Sequence, residues 1–321
     1  MSQEQPSPRG LRIALTGASG DLGALLLPRL LADPRVERVL VLDLARPHGE
    51  RIAFHRVDLT RHDAEAELVE ALTEEPVDAL FHLAFRMGRG KSVSLAHELE
   101  VSGTMSVLAA ASRMKLPRLI IPSLTAAYGP RRGLPALLTE DAPLHGLARS
   151  RFVRDKVEVE EQVEAFSAAN PDTRVFVLRF APIVGPGQDN PVTRFLSSPV
   201  VPTLLGFDPL WQALHEQDAV RALHLTLDAP TGGTFNIVGA DVAPFSALAR
   251  AAGAVVLPLP PALLSTALGV FDAVGAGLVS LPLLEFLRYA VVADGRKAAE
   301  TLGFVPAYES REAVASLGGG N

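Results

Sequence analysis

Apolar residues in the first half of the chain fall into two alternating textures. Short unbroken runs at Leu11–Thr16, Arg38–Asp43, Ile52–Val57, Val77–Leu83, Arg118–Pro122 and Arg174–Phe180 have the length and β-branched content of strands. Between them, Asp21–Ala32, Asp63–Thr73, Ser94–Met114 and Phe152–Ala169 space their apolar positions for amphipathic helices. Pro34 stops the first helix, and Asn170-Pro171 closes the last. Strands alternating with helices of this length predict an α/β fold with a doubly wound parallel sheet. Uninterrupted runs such as Val39–Leu42 suit a sheet covered on both faces.

After Phe180 the alternation stops and proline and glycine punctuate the chain. A helix at Asp218–Leu227 and a strand at Thr234–Val238 are predicted there. The expected division is a nucleotide-binding domain over 1–180 with about 217–232, and a smaller, interleaved C-terminal substrate lobe over 181–216 and 233–321. Between Val255 and Val292 the only charges are Asp272, Glu285 and Arg288. A membrane span needs about 20 apolar residues, and Pro258, Pro260, Pro261 and Pro282 interrupt this stretch. It reads as a pair of buried helices built on Leu263, Leu264, Leu268, Phe271, Leu278 and Leu283, with no membrane span.

Composition removes several function classes. The chain has 321 residues and no cysteine, which excludes disulfides, thiolate metal sites and a cysteine nucleophile. A net charge of -6 argues against nucleic acid as a partner. Met1–Gly10 lacks the cationic start and apolar run of a signal peptide, so a cytoplasmic location is expected. Lysine is scarce among the 30 basic residues, a bias suggesting a GC-rich bacterial gene. The eight histidines show no metal-ligand spacing, and no metal is expected.

The first chemical signal is Thr16-Gly17-Ala18-Ser19-Gly20-Asp21-Leu22-Gly23, at the predicted strand-to-helix turn. Glycines so placed permit a tight turn, close backbone approach to a pyrophosphate, and helix-on-strand packing. The helix N-terminus adds partial positive charge. Asp43, ending the second strand, suits the ribose hydroxyls of an adenosine and repels a 2′-phosphate.

These residues, with Asp58-Leu59, His82-Leu83-Ala84, Gly103-Thr104, Ser123 to Gly129, Arg179 to Gly187, His215 to Asp218, Phe235-Asn236-Ile237 and Asp294 to Phe304, resemble the extended short-chain dehydrogenase/reductases. Among these the chain is similar to the NAD-dependent epimerase/dehydratase group. The resemblance implies a Rossmann-type sheet and NAD as cofactor. Binding residues would be Gly17, Ser19, Gly20, Asp21, Leu22, Gly23, Asp43, Asp58, Leu59, Leu83, Ala84 and Lys156. Arg46, shortly after the second strand, leaves NADP possible. It also implies a homodimer through Ser94–Met114 and Phe152–Ala169, with Val101, Met105, Leu108, Val159 and Val163 partly buried between protomers.

In that group a Tyr-x-x-x-Lys pair handles the proton, the lysine also holds the nicotinamide ribose, and a Ser or Thr polarises the substrate oxygen. Here Lys156 is kept, but Phe152 stands at the phenol position, Leu124 at the Ser/Thr position, and Glu100 where an Asn is usual. Phenylalanine cannot transfer a proton. One expectation is an oxidoreductase or epimerase-like enzyme using another group: Thr125, Ser123, Tyr128 or a proton within the substrate. The other is a catalytically silent dinucleotide-binding sensor or partner. The apolar C-terminal lobe suggests a small hydrophobic hydroxyl or carbonyl substrate. A sugar diphosphate would want more Arg and Lys, although Arg179 and Arg194 are present. His82 reads as a strand-end residue beside the cofactor channel, His145 and Arg149 as surface loop residues, His215 and Asp218 as a turn, and Trp211 as lobe core.

Overall fold

A computed structural model of the chain describes residues 10–85, 93–148, 150–271 and 282–318. The first half runs β1 (Leu11–Thr16), α1 (Asp21–Ala32), β2 (Val36–Asp43), β3 (Ile52–Arg56), α2 (Ala64–Glu74), β4 (Ala79–His82), α3 (Val93–His97), α4 (Gly103–Arg113), β5 (Arg118–Leu124), α5 (Arg151–Ala169) and β6 (Arg174–Phe180). The second half runs β7 (Ile183–Val184), α6 (Pro191–Leu196), β8 (Val200–Leu204), β9 (Leu210–Trp211), β10 (Leu214–His215), α7 (Glu216–Leu225), β11 (Gly233–Ile237), β12 (Ala243–Pro244), α8 (Phe245–Ala251), β13 (Val255–Leu259), α9 (Pro261–Phe271), α10 (Pro282–Phe286), α11 (Arg296–Leu302) and α12 (Ser310–Ala315).

Seven strands form one parallel sheet in the order β11-β6-β5-β4-β1-β2-β3. Apolar side chains of α1, α7 and α11 cover one face, and those of α2, α4 and α5 the other. This two-sided burial explains why the strands read as apolar runs rather than alternating ones. Strand order reverses between β1 and β4, which opens a crevice at the carboxyl ends of these strands. A third apolar cluster, with Trp211, Phe195, Phe245, Leu264 and Leu268, is the core of the C-terminal lobe.

Four expectations change. The predicted helix Ser94–Met114 is broken by a π-helical turn at Glu98–Ser102. The backbone is tight there: a Cβ on Gly103 would sit 3.1 Å from that of Leu59. The strand expected to open the second lobe instead pairs with β6 as the edge of the main sheet, because Phe235 and Ile237 are buried in that sheet's core. The stretch from Val255 starts with a strand, paired in parallel with β8, before α9. Leu264 and Leu268 are buried, but Leu263 is exposed; Leu278 and the side chain of Phe271 lie outside the described residues. Finally, Val101, Leu108, Val159 and Val163 face the chain's own core, leaving Met105 exposed with Leu95 on these helices. No helix among the described residues is long and apolar enough to cross a membrane.

His82 ties the layers together. Its Nδ1 lies 2.8 Å from Thr16 Oγ1, and its Nε2 lies 3.1 Å from Thr104 Oγ1. The Thr104 hydroxyl donates to the Glu100 carbonyl, so Nε2 carries the proton and Nδ1 accepts from Thr16. Burial, and secondarily the Lys156 charge, push the imidazole down to about 3. The native state therefore refuses a proton that the unfolded chain takes up near its ordinary pKa. Stability is fully present above about pH 6.5 and is lost as pH falls towards 3, with a slope approaching about 1.4 kcal/mol per pH unit from this group. Urea titrations of wild type and His82→Gln between pH 7 and 4 should show the variant losing close to one proton's worth of slope. Parallel slopes would mean that His82 is protonated in the fold.

Candidate functional site

The turn between β1 and α1 is shaped by steric necessity. Gly17 has φ +69, and a Cβ on it would meet the Leu83 and Ala84 backbone at 2.5 Å. A Cβ on Gly23 would lie 2.0 Å from the Gly17 carbonyl oxygen. The turn is therefore pressed against the end of β4, and α1 starts with Gly20 as a cap that supplies no side-chain acceptor. Its first N–H groups and helix dipole are suited to a phosphate. Asp21 is exposed and Leu22 buried. Asp43, buried at the end of β2, accepts from Ser19 N at 2.9 Å, from Ser19 Oγ, and from Leu44 N. It thus joins the glycine turn to the second strand. Asp58 is tied to Thr60, Leu59 is buried against Gly103, and Arg46 is exposed.

Across the crevice, α5 carries Lys156, which is 2% exposed. Its Nζ lies 2.6 Å from Glu100 Oε1, donates to the Pro122 carbonyl at 3.2 Å, and sits 4.7 Å from the centre of the Phe85 ring. Glu100 projects from the π-helical turn and is 4% exposed, and its Oε2 is buried without a hydrogen-bond partner. Phe152 lies one turn before Lys156 on α5 and is half-buried.

Ser123 and Tyr128 belong to a separate buried network. Ser123 Oγ donates to Glu160, which pairs with Arg179 through Nη2 at 2.7 Å and through Nε. Arg179 also donates to the Tyr128 hydroxyl at 2.9 Å, and that hydroxyl lies 2.8 Å from Asn236 Oδ1. Burial pushes the phenol up, against the opposing effect of Arg179. Arg179 is spent here, and Arg194 pairs with Asp189, so neither is a free phosphate ligand. Thr125 instead lines a cavity of about 30 Å³ with Ala126, Pro182, Trp211, Gln212, Phe286 and Val291, at the junction of β5 and the C-terminal lobe. A larger cavity of about 180 Å³ lies at the opposite end of the sheet, by Leu11, Asp78 and Arg118 at the amino ends of β1, β4 and β5.

The remaining candidates have local roles. His215 caps α7 through Gln217 N and stacks on Tyr308, and Asp218 accepts from Ala307 N, Tyr308 N and Arg221. Trp211 donates to the Phe286 carbonyl in the lobe core. His145 is exposed, and Arg149 lies outside the described residues. His97, Asp155 and Glu158 bring potential metal-ligand atoms within 4.8 Å of one another, but Asp155 is already held by His97 at 3.0 Å. Sequence reasoning missed Glu160 as partner of Arg179. It also missed Glu216, which receives the Gly187 N–H. The one available signal for Glu160 was its spacing of one helical turn from Lys156.

Similarity to known proteins extends over most of the chain. An uncharacterized protein of Mycobacterium tuberculosis is 32% identical over 254 residues, covering 77% of this chain and 67% of that protein. A 3-diazoavenalumate denitrifying reductase from a Streptomyces species is 28% identical over 247 residues, covering 73% and 78%. Among solved structures, UDP-glucuronic acid 4-epimerase from Bacillus cereus in complex with NAD superposes with a TM-score of 0.71 at 20% identity, covering 95% of this chain and 97% of that one. The model of one family matches residues 13–238, a span that holds the glycine turn, Asp43, Lys156 and all of the parallel sheet but the first two residues of β1, and the chain belongs to that family, the NAD dependent epimerase/dehydratase family.

Proposed function

We propose that this protein is an NAD(H)-dependent oxidoreductase or epimerase-like enzyme that acts on a small, hydrophobic hydroxyl or carbonyl compound without a phenolic acid–base group. The observation that carries this reading is Lys156, retained and buried at the carboxyl end of β5, with Phe152 one turn before it. Gly17, Ser19, Gly20, Leu22 and Gly23 would hold the pyrophosphate, Asp43 the adenosine ribose, and Asp58 and Leu59 would border the adenine. Leu83, Ala84 and Lys156 would border the nicotinamide half. The bound nicotinamide would supply or accept the hydride. Thr125, facing the cavity, is the hydroxyl we assign to the substrate oxygen. Ser123 and Tyr128 hold the wall behind it through Glu160 and Arg179. Pro182, Trp211, Phe286 and Val291 beside Thr125 give this region an apolar character that suits a hydrophobic substrate, although the cavity as it stands holds no more than a water or two. A cytoplasmic homodimer, a division into sheet domain and C-terminal lobe, and a bacterial source complete the proposal.

Calorimetry should show NAD(H) binding more tightly than NADP(H), with Asp43→Ala narrowing the gap. Tighter NADP(H) binding by wild type would transfer the preference to Arg46. Light scattering at tens of micromolar should give a dimer mass, and a monomer mass would remove the dimer. Wild type should reduce simple ketones with NADH poorly. The double change Phe152→Tyr with Leu124→Ser should exceed either single change, because acid–base groups contribute roughly 10²–10⁴-fold and act as a unit. Wild-type reduction equal to the double variant would remove Phe152 from the phenol position. Cofactor binding with no turnover in any variant would favour the silent sensor or partner.

A further inference from the structure

Lys156 has a counter-ion that leaves one charged oxygen uncommitted. Both members of the pair are more than nine-tenths buried. Glu100 gives Oε1 to the ammonium at 2.6 Å, while Oε2 is buried and unpartnered. Leaving a carboxylate oxygen unpaired in a low-dielectric site is costly, so such an atom points to a missing cation or donor. The pair lies on the β4–β5 side of the crevice. The glycine turn and Asp43 take the β1–β2 side, so a dinucleotide spanning the switch point brings its redox-active half towards Lys156 and Glu100. The two forms of that half differ by one unit of charge: the oxidised nicotinamide ring is cationic, and the reduced ring is neutral. An unpaired lysine ammonium there would repel the oxidised ring. A carboxylate beside it removes that repulsion.

We infer that Glu100 is a specificity-determining residue that shifts the bound cofactor towards its oxidised form. The inference rests on the cofactor assignment of the preceding section. It assigns Glu100 no part in proton transfer. Its role is to neutralise Lys156 beside the cationic half of the ligand.

The measurement is the ratio of the dissociation constants of NADH and NAD+, taken by calorimetry on the full chain at one pH and ionic strength. Removing one charge by Glu100→Gln should shift the ratio towards NADH by about tenfold, the size expected for a unit charge across a partly screened site. Lys156→Met should shift it the opposite way. The double variant, again neutral overall, should return to within about threefold of wild type, because the two opposite charge changes cancel. If Glu100→Gln does not fold, comparing Lys156→Met with the double variant reads the same carboxylate charge. A merely structural Glu100 would weaken both ligands equally. An unchanged ratio across folded variants would overturn the inference while leaving the cofactor assignment intact. Failure of wild type to bind either dinucleotide would overturn both.

Discussion

The buried pair between Arg179 on β6 and Glu160 on α5 holds together the parts that meet at the site. Beyond Glu160, Arg179 reaches two other groups, the Tyr128 hydroxyl and the carbonyl of Glu140. Tyr128 then contacts Asn236 on β11, whose side chain donates to the carbonyls of Leu138 and Asp294. One guanidinium thereby links two neighbouring strands, the long helix, the loop after β5 and the approach to α11. Taking both charges out of water is expensive, and only near-complete hydrogen bonding offsets it. The network supplies that bonding, so loss of one partner would leave the other buried and uncompensated.

A second buried pair, Lys156 with Glu100, is built on a different logic. Glu160 is bonded at both oxygens, whereas Glu100 is bonded at one. Glu160 lies within a regular helix, and Glu100 lies in the π-helical turn that interrupts the helix before α4. Such turns insert one extra residue and redirect a side chain, and they are common at functional sites. The contrast separates an ion pair whose hydrogen bonds are complete from one that leaves a buried carboxylate oxygen without a partner.

The local signals were legible in the chain. The bounds of β1, α1 and β6 match the apolar pattern residue for residue, because glycine or proline punctuation and an unbroken apolar run specify them without outside help. The glycine turn was equally legible, since Gly17 and Gly23 are demanded by backbone contacts as short as 2.0 Å. The C-terminal lobe was not. Its strands β7, β9, β10 and β12 are two residues long, too short to carry any period, and each exists only through its partner.

By itself the sequence determined that this is a parallel α/β protein of the NAD dependent epimerase/dehydratase family, with Lys156 on its long helix and Phe152 one turn before it. Periodicity and glycine spacing are local properties, written in neighbouring residues. Tertiary structure alone decided which polar groups are free. Ser123 and Thr125 lie two residues apart, yet one hydroxyl is bound to Glu160 and the other lines the cavity. Glu100 and Lys156 lie 56 positions apart in the chain and 2.6 Å apart in the fold. Which side chain meets which depends on how a helix is rotated against the sheet, and that rotation is set by packing over the whole layer.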